Sequence, residues 1–65
     1  MKRRNLERHL REQGARPVRE GGRHTIWGFD AERSTAVPRH REIEPPVVRA
    51  ICRQLGVPEP SGRGR

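Results

Sequence analysis

A two-glycine turn that runs straight into the chain's only tryptophan and only phenylalanine constrains this fold more than any other stretch. The run is Gly21-Gly22-Arg23-His24-Thr25-Ile26-Trp27-Gly28-Phe29. Paired glycines suit a hairpin, because they accept the positive φ that tight turns favour. The residues after them are β-branched and aromatic, a strand composition that ends at Asp30. A strand is therefore predicted over Arg23 to Phe29. His24, Ile26 and Gly28 share one face; Thr25, Trp27 and Phe29 share the other. Alternation does not say which face is covered. His24 falls at the opening of this strand, held by the backbone yet close to solvent. An imidazole so placed can move protons on a bound ligand. A surface histidine with no task has the same sequence surroundings.

Upstream, Asn5 is a good N-cap for a helix whose Leu6 and Leu10 share one face. Gly14 should end that helix in a left-handed conformation. Ala15 to Glu20 reads as a short polar strand, and Pro17, lacking an N–H, belongs at an edge. Downstream, Asp30 to Arg33 turns the chain into a third strand, Ser34 to Val37. Ile43, between Glu42 and Glu44, plugs the edge of the core. Pro45-Pro46 opens a second helix, where a missing N–H costs nothing. Val47, Ile51 and Leu55 form its stripe, with Val48 and Cys52 beside them. Gly56, Pro58 and Pro60 stop it.

These elements predict a two-layer α+β domain of order α-β-β-β-α, a three-stranded antiparallel sheet with two helices on one face. Its expected core is Leu6, Leu10, Val18, Ile26, Val37, Ile43, Val47, Ile51 and Leu55, with one of Trp27 or Phe29. The domain is expected over 1–57, followed by a disordered basic tail over 58–65.

Sixty-five residues with a hydrophobic share of 29% make one domain with a small core. The single cysteine rules out an internal disulfide and points to a reducing, cytoplasmic setting. The basic start is followed by no apolar run, so neither a signal peptide nor a membrane span is expected. The net charge of +7 invites a polyanion. It is spread unevenly: residues 1–20 carry +4, residues 21–44 are neutral, and residues 45–65 carry +3. Fourteen of the fifteen basic residues are arginine. Arginine suits phosphate because its fork donates two parallel hydrogen bonds, although coding bias also enriches it.

His9, His24, His40 and Cys52 are 15, 16 and 12 residues apart, which matches no paired zinc-ligand pattern. No phosphate loop exists, since Gly21-Gly22 precedes a strand rather than a helix. What remains is a basic chain with His24 beside Arg23, and His40 between Arg39 and Arg41. That set is the minimum for cutting RNA without metal: imidazole takes the proton of a 2′-hydroxyl, and arginines steady the phosphate.

The chain resembles the HicA-type toxins of bacterial HicA–HicB toxin–antitoxin pairs over about residues 2–57. The resemblance rests on the Leu-rich first helix ending in Gly14 and on Gly22-Arg23-His24 opening the second strand. It also rests on Val37-Pro38-Arg39-His40 and on the closing helix Arg49-Ala50-Ile51-Cys52-Arg53-Gln54-Leu55-Gly56. The last two are the more specific parts. The resemblance implies a fold like double-stranded-RNA-binding domains and mRNA cleavage without metal or small-molecule cofactor. It implies His24 as the catalytic residue, and a HicB-like antitoxin that blocks it. Arg23 departs from the serine many members carry there. A guanidinium at that position either repels a protonated imidazole or binds the phosphate. Arg23, Arg39, His40 and Arg41 are the expected RNA contacts, with His40 open between acid–base, phosphate-binding and structural roles. The same fold would also suit an RNA-binding module that does not cut, or a basic surface that only docks an acidic protein.

Overall fold

The structure is a computed structural model and describes residues 1–30 and 32–60. Its order is α1 (Arg3–Glu12), β1 (Arg16–Glu20), β2 (His24–Gly28), β3 (Ser34–Pro38) and α2 (Pro45–Leu55). The strands form one antiparallel sheet of order β1-β2-β3, so β2 is central. This is the α-β-β-β-α architecture that the sequence predicts.

One sheet face is covered and the other is open. Trp27, Thr35 and Val37 are buried with Leu6 and Leu10 of α1 and with Val48, Ile51, Cys52 and Leu55 of α2. Trp27 pairs with Thr35, and Thr25 with Val37, so these residues share the covered face. The Trp27 face wins because the largest side chain in the sequence removes the most apolar surface from water when buried. The guanidinium of Arg11 lies 5.0 Å from the Trp27 ring centre, so Arg11 caps the core at this ring. Thr35, a polar residue within this core, donates its hydroxyl to Gln54 of α2.

Several core assignments are corrected by this choice of face. Ile26 pairs with Ala36 on the open face and is only half-buried. Val18 sits in a break in the β1–β2 register between Pro17 and Arg19, and it is 47% exposed. On α2, Val48 is buried and Val47 is exposed, because Val48, Ile51, Cys52 and Leu55 make the contiguous stripe. Ala15 and Cys52 complete the core.

The helix ends divide in the same way. Gly14 and Gly56 have φ of 97° and 73°, the left-handed conformation predicted for Gly14 and found also at Gly56, which ends α2 as expected. Asn5 is not a cap. α1 begins at Arg3 after Lys2, with no side-chain cap, because Arg3 N donates to the Arg41 carbonyl at 2.9 Å. Asn5 instead accepts a long bond from Arg8 within the helix. Pro45 opens α2 as predicted.

At the hairpin, neither Gly21 nor Gly22 has positive φ. The β1–β2 connection is the wider loop Gly21–Arg23, closed by Gly21 N donating to the His24 carbonyl at 2.8 Å, which needs no left-handed residue. The strand boundaries shift by one residue, with β2 running from His24 to Gly28 and β3 extending to Pro38. Of the predicted tail over 58–65, residues 61–65 lie outside the described residues. The Pro58 carbonyl accepts from His9 Nε2 at 2.7 Å.

Candidate active site

His24 is the first residue of β2, and its backbone is fixed from two directions. It pairs with Pro38 of β3, and its carbonyl accepts from Gly21. The ladder continues one step past it, where Arg39 N donates to the Arg23 carbonyl at 3.3 Å. The imidazole itself is exposed and on the open face of the sheet. Among the described residues its ring has no hydrogen-bond partner, so both nitrogens are available to a ligand. Ile26, Ala36 and Pro38 share this face, an apolar floor with His24 at one end. Farther along, Val18, Arg19, Ile26, Asp30 and Ser34 line a shallow hollow of about 440 Å³.

The far end of the sheet is built tightly. Gly28 pairs with Ser34, and a Cβ at Gly28 would run into the Arg33 carbonyl and lie 2.9 Å from Ser34 Cα. The turn there is held by Asp30, whose Oδ1 accepts from the backbone N–H of Glu32 at 2.9 Å and of Arg33 at 3.0 Å. Those N–H groups, Arg33 first, hold the Asp30 carboxyl below the usual carboxylate range.

Of the predicted RNA contacts, Arg23 is exposed beside His24. Arg39 is engaged elsewhere. Its Nη2 donates to Glu20 Oε1 at 2.7 Å and to the Gly21 carbonyl at 3.0 Å. It shares a hollow with Arg3, Glu7, Glu20 and Thr25, on the helix side of the sheet. His40 is exposed and lines a separate hollow with Pro38, Glu42, Ile43, Glu44 and Val47 before α2. Pro38 links the two histidines' surroundings, since it pairs with His24 and borders the His40 hollow. Arg41 lies with Lys2, Arg3 and Arg4 at the start of α1. That grouping was not legible from the sequence, where the basic run at residues 2–4 is far from Arg41. Among the described residues no three of His, Cys, Asp and Glu gather as a metal site. Cys52 is buried in the core, where desolvation pushes its thiol up. No helix among the described residues is long and apolar enough to cross a membrane.

A basic α-β-β-β-α domain with an exposed histidine at the head of its central strand is the class this geometry defines. The family model described as the HicA toxin of bacterial toxin–antitoxin systems matches residues 3–57, and the chain belongs to that family. It is a toxin of a toxin–antitoxin system, and the family implies a HicB-type antitoxin as its partner. Comparison with curated proteins and with solved structures found no match.

Proposed function

We propose that this toxin is an endoribonuclease that cuts mRNA in the cytoplasm, without metal, using His24 as its acid–base group. The observation that carries the reading is the placement of His24: backbone fixed on both sides, ring exposed on an uncovered face. In the reaction, imidazole removes the proton from a 2′-hydroxyl. The 2′-oxygen attacks the adjacent phosphorus, the bond to the 5′-oxygen breaks, and a proton returns to that leaving oxygen. In this reading Arg23, the sequence neighbour of His24, binds the phosphate and stabilises the charge that develops on it. His40 and Arg41 contact the strand beyond the cut, while Arg39 contributes through the loop it braces. The HicB-type antitoxin stops the reaction by covering His24.

The test is cleavage of RNA by the purified protein in excess chelator, beside a His24→Ala variant checked for its fold by circular dichroism. Cleavage by the parent and none by the folded variant is the expected result. Loss of cleavage in chelator, or its persistence in His24→Ala, overturns the mechanism. Binding without cleavage by the parent makes the chain an RNA-binding module instead.

A further inference from the structure

Three consecutive cations and a fourth at least 37 residues farther along the chain line a single hollow. Lys2, Arg3, Arg4 and Arg41 surround about 200 Å³ of space beside the start of α1. Backbone bonds build this grouping. Arg3 N donates to the Arg41 carbonyl at 2.9 Å, Ile43 N to the Met1 carbonyl at 2.7 Å, and Lys2 pairs with Glu42 as an isolated bridge. Arg3 Nη1 adds a bond to the Arg39 carbonyl at 2.7 Å. The segment before α1 is thus stitched to the segment leaving β3.

The carboxylates nearby do not neutralise the hollow. Glu7 reaches only Arg3, at 3.9 Å, and Glu42 reaches the amino terminus, at 3.5 Å. Lys2, Arg4 and Arg41 have no ion-pair partner among the described residues. Gathering like charges costs free energy unless an anion occupies the space between them. The segment that supplies Arg41 leaves β3 at Pro38, the cross-strand partner of His24. An RNA strand lying across His24 therefore has a route along residues 38–41 to the hollow.

We infer that the Lys2–Arg3–Arg4–Arg41 hollow is a backbone-phosphate subsite. It grips the backbone of the single-stranded RNA away from the scissile bond. The inference rests on the RNA-cleaving reading, and it assigns the N-terminal cations a share in substrate binding. Contacts of this kind fix register and orientation without reading sequence.

The experiment measures single-stranded RNA binding to His24→Ala protein across a salt series. The test variant adds Lys2→Ala, Arg4→Ala and Arg41→Ala. All three side chains are exposed, and Arg3 is left in place because it bonds Arg39. A charge-matched control instead adds Arg8→Ala, Arg49→Ala and Arg53→Ala. The expected result is weaker binding by the test variant, with a log–log salt slope flatter by about 2 to 3, roughly 0.7 to 1 per lost phosphate contact. The control should change the slope by less than half of that. Equal losses in both variants would mean that only net charge matters, and would overturn the subsite. An unchanged slope in the test variant would overturn it too, leaving the cleavage reading intact. If the test variant lost affinity only for an acidic protein partner, the hollow would be a protein-docking surface. Failure of the His24→Ala parent to bind RNA would bring down the RNA reading and the subsite together.

Discussion

The guanidinium of Arg39 donates to the carboxylate of Glu20 at 2.7 Å, tying the end of β3 to the end of β1 across the mouth of the β1–β2 loop. The same nitrogen reaches the Gly21 carbonyl, and the Arg39 carbonyl in turn accepts from Arg3 of α1. The loop that carries Arg23 and delivers His24 is thereby anchored to the opposite edge of the sheet and to the first helix.

Arg39→Ala should lower cleavage more than it lowers stability. The pair is exposed, with 40% of the Arg39 side chain and 75% of the Glu20 side chain accessible. Exposed pairs of this kind contribute at most about 1 kcal/mol. A loosened loop, in contrast, moves the backbone on which His24 is set. Melting curves and initial cleavage rates for Arg39→Ala and Glu20→Gln decide the point. A loss of activity no greater than the loss of folded protein would show that the brace does nothing for the site.

Gly28→Ala should destabilise the domain by about 1 to 3 kcal/mol, the usual cost of forcing extra volume into a packed place. The atoms in the way belong to the backbone of Arg33 and Ser34, which cannot rotate aside. Chemical denaturation of the variant gives the number. A stability within about 0.5 kcal/mol of the parent, the range of ordinary surface changes, would mean that the Arg33–Ser34 turn yields freely.

Cys52 should resist thiol reagents in the folded protein and react readily in denaturant, because it is buried and only the exposed thiolate is nucleophilic. Burial is the main cause that pushes its thiol up, with a smaller push from Glu59. The unfolded thiol ionises near pH ~8.5. The folded one keeps its proton to higher pH, so the folded state binds more protons in that window. Stability from this source is complete below pH ~8.5 and declines as pH rises. Labelling rates and alkaline denaturation curves for the parent and Cys52→Ala check both statements. Equal labelling of folded and unfolded chain would contradict the burial.

A HicB-type antitoxin should raise the melting temperature with the logarithm of its free concentration and abolish cleavage. Linkage gives about 2.7 kcal/mol at a hundredfold excess over Kd. The open face offers such a partner Val18, Ile26 and Ala36 next to His24, apolar atoms with no cover in the free chain. Melting and cleavage are followed together as antitoxin is added. A partner that stabilises the toxin while cleavage continues at full rate must bind away from His24.

Much of this domain was legible along the chain. Gly14 and Gly56 end the helices because a left-handed residue without a Cβ costs least there. Pro45 begins α2, Pro17 lies on an edge strand, and His24 opens the central strand. These are local consequences of backbone sterics and hydrogen-bond donors, which each residue carries wherever the chain goes. The choices between equivalent surfaces were left to the tertiary structure. Period-two alternation makes the Ile26 face and the Trp27 face equally regular, and only packing under two helices selects the bulkier one. Val47 and Val48 are adjacent apolar residues, and the rotation that seats Ile51, Cys52 and Leu55 buries one and exposes the other. Asn5 has a capping side chain, yet the carbonyl of Arg41, far away in sequence, satisfies the helix at Arg3 first. Arg39 and Arg41 read as equivalent partners of His40. One was taken by Glu20 and the other by the cations of residues 2–4, because neither Glu20 nor Lys2 is near them until the sheet and helices close.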